Sequence, residues 1–130
     1  MLNRNAFGTV EIEGVGTYDV ELIFKGTRPD PGNGVTWSVF DGYVNGTLIS
    51  EYKFGHGNTD PVLKYFLLDV CKDAEDAHRL GLRDWKREYG AQFDDDADDI
   101  YEACIGIREQ LLRVMGAEEI ERLAEEATYQ

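Results

Sequence analysis

The sequence predicts an α+β fold in which an N-terminal antiparallel sheet of about four strands, built as two hairpins, is packed by three to four C-terminal helices. Three observations lead to this prediction. Apolar and polar residues alternate over 17–24, which is the periodicity of a half-buried strand. Asn45-Gly46 is a strong hairpin signal. From residue 61 onward, apolar residues recur at helical spacing.

The first predicted hairpin is defined by its second strand, where every second side chain is large and apolar. This spacing places four side chains on one face, namely Tyr18, Val20, Leu22 and Phe24. Glycines at 14 and 16 predict a turn before this strand, so 7–13 becomes its partner with Val10 and Ile12 facing inward. The next stretch, 27–34, holds two prolines and two glycines and is predicted to be a loop.

The second predicted hairpin turns at Asn45-Gly46, because a type I′ turn needs positive φ at both central positions. Pairing Val44 with Thr47 then sets the register. Three apolar pairs share one face in this register: Tyr43–Leu48, Val39–Tyr52 and Trp37–Phe54. Asp41-Gly42 is a competing signal for a turn or a bulge.

The second half of the chain is predicted to be helical. Thr59 or Asp60 can cap a helix over 61–79, because Pro61 is tolerated in its first turn, and Gly81 follows as a stop signal. Further helices are predicted at 83–89, 97–115 and 118–127, separated by Gly90 and Gly116.

The chain is strongly acidic. It has 130 residues with a formal net charge of −13, and it is expected to form one domain with a β-rich half, 1–57, and an acidic helical half, 58–130. Residues 1–59 hold 4 basic and 7 acidic side chains, whereas residues 60–130 hold 9 and 19. This balance argues against direct binding of nucleic acid, whose phosphates need Lys and Arg. It favours high solubility or a basic protein partner.

The charge is concentrated in residues 94–102, which we call the acidic segment. It contains six carboxylates and no basic residue: Asp94, Asp95, Asp96, Asp98, Asp99 and Glu102. The segment opens an apolar stripe of helical spacing, formed by Ile100, Cys104, Ile107, Leu111 and Val114. Glu118, Glu119 and Glu121 add a second acidic strip on the last predicted helix.

Two interpretations of the acidic segment stay open. Carboxylates at a helix start cap free N–H groups and favour the helix dipole, and they also promote solubility. One or two acids are enough for capping, however, so the excess indicates a surface for binding a basic partner. A calcium loop is rejected, because Asp99 and Ile105 occupy the positions at which an EF-hand needs glycine and glutamate.

No catalytic, metal or cofactor motif accompanies the charge. Cys71 and Cys104 lack the spacing of a metal pair and are predicted to be buried free thiols. His56 lies between two glycines and is the most enzyme-like feature. It defines an alternative ligand loop together with Tyr43, Tyr52 and Trp85. The sequence has no apolar run of signal-peptide or membrane-spanning length, so we expect a soluble cytoplasmic protein that does not bind membranes.

The order of features resembles a family of small phage-encoded proteins of unknown function. The resemblance covers about 36–127 and lies in these motifs: Trp37–Gly42, Tyr52–Gly57, Asp69-Val70, Trp85–Gly90, Asp96, Tyr101–Cys104, Leu111-Leu112 and Gly116. The chain departs from the family at 58–61, where members carry a more proline-rich run.

The resemblance implies a phage or prophage context in a bacterial host cell, and it carries over no catalytic residue. Small acidic phage proteins are often inhibitors of host defence nucleases, such as anti-CRISPR and anti-restriction proteins. We therefore expect a non-enzymatic protein that occupies the basic surface of a host protein or ribonucleoprotein complex. Two alternatives are a small-molecule- or nucleotide-binding or hydrolysing protein that uses the His56 loop, and a structural or assembly protein of the phage particle.

Overall fold

The computed structural model describes residues 4–30, 32, 34–54 and 62–128. The chain divides into two compact units, Met1–Leu67 (the sheet unit) and Leu68–Gln130 (the helical unit). The four strands are β1 (Ala6–Ile12), β2 (Gly16–Pro29), β3 (Thr36–Val44) and β4 (Thr47–Phe54). The three α-helices are α1 (Val62–Tyr89), α2 (Ala97–Leu111) and α3 (Ala117–Thr128), with two 3-10 turns at Gly90–Gln92 and Asp94–Asp96. The predicted α+β class, with a four-stranded antiparallel sheet before the helices, is confirmed.

The first hairpin forms as predicted. β1 pairs antiparallel with β2, and Val10 lies opposite Tyr18 across a turn after Ile12. The inner face is buried along both strands, at Val10, Ile12, Tyr18, Val20 and Leu22. The alternation in the sequence therefore identified this face correctly, because in a strand successive side chains point to opposite sides.

The predicted loop over 27–34 is wrong at its first three residues, since β2 continues to Pro29 and pairs with β3 there. A bulge next to Gly26, with φ of 140°, allows the strand to bend and continue. Pro29 is tolerated because the pairing of β1 with β2 reaches only to Leu22. Beyond Leu22, β2 pairs with β3 but no longer with β1. It is an edge strand there, and proline is tolerated in edge strands because one side has no partner strand to receive an N–H.

The second hairpin has the predicted turn but only part of the predicted register. Asn45 and Gly46 have φ of 49° and 82°, as a type I′ turn requires. The pairs Val44–Thr47 and Tyr43–Leu48 are confirmed. A register shift follows, so the pairs Val39–Tyr52 and Trp37–Phe54 are wrong; Val39 pairs with Lys53, and Phe54 lies opposite Ser38. The predicted common face is also wrong, because Phe40 and Val44 are fully buried whereas Leu48 is 46% exposed.

The register shift between β3 and β4 is explained by side-chain packing within the sheet unit. The ring of Phe66, in the first turns of α1, lies against Gly42 so closely that a Cβ at residue 42 would collide with it. Tyr52 packs on the same ring edge-to-face, with centroids 5.2 Å apart. The extra residue of the bulge is Ile49, which is thereby buried. Gly42 must therefore face inward, and this places Tyr43 on the outer face.

The helices end close to the predicted stop signals, with one exception. Gly81 has φ of 78° and ψ of 168° and interrupts α1, as predicted. The helix predicted over 97–115 ends at Leu111 instead, because the chain tightens into turns in which Val114 N–H and Met115 N–H both donate to Leu111 O at 3.0 Å. α3 then begins with a one-sided cap, in which the Gly116 N–H donates to Glu119 Oε1 at 3.3 Å.

The helical unit has an aromatic and aliphatic core. Its buried centre is formed by Ala77, Trp85, Ala97 and Cys104. In the predicted stripe, Cys104 and Leu111 are buried and Ile100 is half-buried. Both cysteines are free and buried, as predicted. Burial raises the pKa of Cys71 to about 12, with the charge of Glu75 adding to the effect, so this thiol stays protonated at neutral pH.

We expect Gly106→Ala to stabilise the protein. Gly106 lies in the interior of α2, and a Cβ there would meet no atom within 4 Å. Alanine in a helix interior is favoured over glycine by about 0.8–1 kcal/mol. Urea unfolding followed by circular dichroism measures the change. The reverse exchange at the exposed neighbour, Ala103→Gly, should lower stability by about the same amount, and equal midpoints for the two variants would contradict the assignment.

Candidate functional site

The acidic segment is held by an apolar residue directly before it and by one within it. Phe93, directly before it, stacks on Trp85 with ring centroids 5.8 Å apart and planes 6° from parallel. The Asp96 N–H donates to Phe93 O at 2.9 Å, which closes the 3-10 turn. Ala97, the first residue of α2, is buried. The backbone of the segment is therefore anchored at its start, by Phe93, and again at Ala97.

Most carboxylates of the acidic segment are exposed and unpaired. Asp95, Asp96, Asp98, Asp99 and Glu102 are all exposed. Asp98 makes an ion pair with Lys86, whose Nζ lies 2.8 Å from Oδ1. Within the described residues, no other ion pair involves the segment. For Asp94 the structure describes the backbone only, which lies in the 3-10 turn.

Helix capping accounts for little of this charge. Asp96 is the N-cap residue of α2, but its side chain makes no capping hydrogen bond. Asp98 and Asp99 lie in the first turn, where the helix dipole favours negative charge by about 0.3–1 kcal/mol each. Asp95 and Glu102 lie outside the first turn and make no ion pair within the described residues, so the capping interpretation covers only a part of the segment.

The second acidic strip is partly used inside α3. Glu118 makes an ion pair with Arg122 at 3.3 Å, and Glu119 caps the start of the helix. Glu121 is exposed, and no ion pair is found for it among the residues described. Glu121 is thus the residue of this strip that shares the two properties of the acidic segment: it is exposed, and it has no ion pair among the described residues.

A cavity of about 260 Å³ lies in the helical unit. Its walls come from both segments of α1, from the residues between α1 and α2, and from α2. The lining residues are Lys72, Asp73, Asp76, Trp85, Tyr89, Gln92, Phe93, Ile100 and Cys104. Trp85 is 4% exposed and contacts three rings, those of Tyr89, Phe93 and Tyr101, at centroid distances of 5.9, 5.8 and 5.7 Å.

The two carboxylates of the cavity differ in their partners. Asp76 Oδ2 lies 2.7 Å from Lys72 Nζ and accepts a hydrogen bond from Tyr89 Oη at 3.1 Å. Its Oδ1 lies 3.5 Å from the Arg79 guanidinium. Asp73 makes neither an ion pair nor a hydrogen bond within the part of the chain that the structure describes. Asp76 is therefore neutralised, whereas Asp73 is not.

The surroundings of the cavity raise the pKa values of two lining residues, Asp73 and Cys104. Loss of solvation raises the pKa of Asp73 to about 6, and the charge of Asp69 adds to the effect. The residue as a whole is exposed, although it also lines the cavity. Burial, with the charges of Asp73 and Asp76, raises the pKa of Cys104 to about 11. Cys104 is thus a protonated thiol at neutral pH and a poor nucleophile.

The raised pKa of Asp73 predicts a pH-dependent stability difference between the wild type and Asp73→Asn. The pKa of about 6 in the folded protein lies above its ordinary value of 3.8. The stability that Asp73 contributes is therefore fully present below pH 3.8 and is lost as the pH rises through 6. We expect Asp73→Asn to be the more stable form at pH 7, by less than about 1 kcal/mol because solvent screens the partly exposed group.

Urea unfolding of both proteins between pH 4 and pH 8 measures this difference. All other carboxylates titrate in both proteins, so the difference isolates Asp73. A stability difference that is constant over this range would contradict the assignment.

The residues of the predicted alternative ligand loop are distributed over the chain. His56 lies outside the described residues. Tyr52 packs inward on Phe66 in the sheet unit, whereas Tyr43 is on the outer face of the sheet, opposite Leu48. Trp85 belongs to the helical unit, where it forms a wall of the cavity.

The cavity and its unpaired carboxylate, Asp73, were not predicted from the sequence. A usable signal existed in the four-residue spacing of Trp85 and Tyr89, since residues four apart share a helix face. Phe93 lies beyond the end of α1, so its stacking on Trp85 does not follow from helical spacing. The position of Asp73 relative to these rings depends on the break at Gly81, which spacing alone does not define.

Neither a metal site nor a membrane span is found in the described residues. No three of their His, Cys, Asp and Glu side chains converge as metal ligands would. Among the same residues, no helix combines the length and the apolar character needed to cross a bilayer. Comparisons of the chain with protein-family models, curated proteins and solved structures find no match. The resemblance to small phage-encoded proteins therefore stays a prediction.

Proposed function

We propose that this chain is a non-enzymatic binding protein that engages a basic partner through the acidic segment. The observation that carries the proposal is the set of exposed carboxylates at the start of α2 that lack an ion pair among the described residues, Asp95, Asp96, Asp99 and Glu102. Surface charges that are not needed for capping or pairing remain available to an incoming molecule.

The physical basis of the proposal is electrostatic steering. Like charges on adjacent residues repel one another, and the fold holds them together because Phe93 anchors the backbone before the segment and Ala97 anchors it within the segment. Their summed field raises the rate of encounter with a positively charged surface, by about 10- to 1000-fold in steered associations. The fixed backbone also lowers the entropy that must be lost on binding.

The partner that we propose is a nucleic-acid-handling protein or ribonucleoprotein complex of a bacterial host cell. Such partners present channels lined with Lys and Arg for phosphates, and a rigid row of carboxylates competes for the same contacts. Inhibition of host defence, of the anti-CRISPR or anti-restriction type, is the form of this function that the sequence resemblance implies. The cytoplasm of the host is the corresponding compartment.

Affinity capture tests the proposal. The full chain is immobilised and exposed to a bacterial lysate at about 50 mM and about 500 mM salt, because steered contacts between exposed charges are screened at high ionic strength. A second bait carries Asp95→Asn, Asp96→Asn and Asp99→Asn. We expect a basic protein that is retained by the wild type at low salt and lost both at high salt and with the variant. Equal retention by both baits at both salt concentrations would refute the proposal.

A further inference from the structure

The cavity of the helical unit has features that the proposed function does not use. It combines three aromatic walls, from Trp85, Tyr89 and Phe93, with two carboxylates, of which only Asp76 is neutralised. We propose that this cavity binds a small organic cation, an alkylammonium or guanidinium group, with Asp73 as the counter-charge and the aromatic rings as its walls.

The size of the cavity fits a small ligand. Its volume is about 260 Å³, whereas a cavity of about 150 Å³ already admits benzene and drug-sized ligands need about 300–1,000 Å³. The cavity therefore has room for a chain of a few carbons that ends in a charged group, and it is too small for a nucleotide.

The aromatic walls favour a cation. Trp85 and Phe93 are nearly parallel, and the Tyr89 ring lies 5.9 Å from Trp85 at a tilt of 49°. The faces of aromatic rings carry negative potential and attract ammonium and guanidinium groups within about 6 Å, tryptophan most strongly. The same walls are apolar enough to hold the alkyl part of such a ligand.

The charges of the cavity disfavour an anionic ligand. Lys72 is engaged by Asp76 at 2.7 Å, so it is not available to an anion. Asp73 has no partner within the described part of the chain. Both cations near the lining carboxylates, Lys72 and Arg79, are paired with Asp76, so the negative charge of Asp73 is left without an ion-pair partner among the described residues. An incoming carboxylate or phosphate would face this charge without compensation, whereas a cation would supply the missing partner of Asp73.

The charged and titratable groups around Asp73 define how binding responds to pH. Asp69 and Asp76 lie near it on α1, Lys72 is adjacent, and Tyr89 and Cys104 face it across the cavity. The pKa of Tyr89 is raised by burial and that of Cys104 lies at about 11. These two groups stay protonated near neutral pH, so binding of a cation should weaken as the pH falls from 7.5 to 5 and Asp73 becomes neutral.

Three probes with the same four-carbon chain test the proposal on the full-length protein: n-butylammonium, 1-butanol and butyrate. Binding is followed by the NMR signal of the Trp85 indole N–H. We expect a saturable shift with n-butylammonium at pH 7.5 and none with the other two. A lysine derivative blocked at both its backbone ends, tested in the same way, shows whether the cavity also accepts a lysine side chain from a partner protein. Binding of either cation supports the proposal.

Two variants that each remove one negative charge distinguish a specific role of Asp73 from a general effect of charge. Asp73→Asn should weaken n-butylammonium binding by about tenfold or more, the range expected for a hydrogen bond to a charged group. Glu75→Gln, on the same helix but outside the cavity, should leave it unchanged. Absence of saturable binding to the wild type, equal binding of 1-butanol, or equal affinities of the two variants would each overturn the proposal.

This test is independent of the acidic segment. The variant with asparagine at residues 95, 96 and 99 keeps all residues that line the cavity, so it should still bind n-butylammonium at the same site. The cavity proposal therefore stands or falls separately from the partner-binding proposal.

Discussion

Gly42→Ala is expected to destabilise the sheet unit by about 1–3 kcal/mol, the usual cost of overpacking a core. The added Cβ would collide with the ring of Phe66, which is fully buried and cannot move outward without disturbing its contact with Tyr52. Urea unfolding followed by far-UV circular dichroism and by tryptophan fluorescence measures the loss.

A double-mutant cycle with Phe66→Leu assigns this cost to the ring. If the collision is the cause, the smaller side chain at residue 66 relieves part of it, and the double variant is more stable than the sum of the single effects predicts. Ser50→Ala is the control, because residue 50 lies directly opposite Gly42 in the pairing of β3 with β4. It measures the effect of introducing alanine at the same pair of residues without the collision with Phe66. Additive effects at residues 42 and 66 would show that the cost of Gly42→Ala does not come from the Phe66 ring.

Replacing Asp95, Asp96 and Asp99 by asparagine is expected to slow association with the captured partner by about tenfold or more at low salt. The three side chains are exposed and make no ion pair within the described residues, so the loss acts on the encounter step more than on the fold. Asparagine is as good an N-cap residue as aspartate. The lost dipole interaction of Asp99, under about 1 kcal/mol, is offset by weaker repulsion, so we expect the unfolding midpoint to change little.

The control for this variant changes the same amount of charge elsewhere. Glu11, Glu13 and Glu21 are exposed in the sheet unit and make no ion pair with a described residue. Replacing all three by glutamine gives the same net charge as the aspartate variant. Stopped-flow association with the partner should be slowed much more by the asparagine variant. Equal slowing by both would mean that total charge, not the acidic segment, determines the rate.

Local sequence signals were sufficient wherever short-range chemistry determines the structure. The alternation from Tyr18 to Leu22 identified a buried face, Asn45-Gly46 identified a turn, and Gly81 identified a helix break. In each case the determining interaction lies within a few residues of the signal. The exposure of the acidic segment follows from a local signal as well, because only Ala97, Ile100 and Tyr101 stand between its carboxylates.

Features that depend on distant residues could not be predicted in the same way. The register of β3 and β4 is decided by Phe66, which lies 24 positions after Gly42 in the sequence. The cavity likewise depends on residues from both sides of the break in α1 together with Ile100 and Cys104 of α2. Periodicity identifies which side chains are apolar or charged, whereas tertiary packing decides which of them meet.

Hydrogen–deuterium exchange of the chain with and without the captured partner tests the central claim most directly. The first backbone amides of α2, at residues 97–99, have no intrahelical acceptor. We therefore expect them to exchange readily in the free protein, so that protection by a partner can be measured there. The acidic-segment account predicts that protection is largest over residues 94–102 and disappears at about 500 mM salt, where exposed charges are screened. Protection confined to the strands β1–β4, with unchanged exchange at the start of α2, would contradict it.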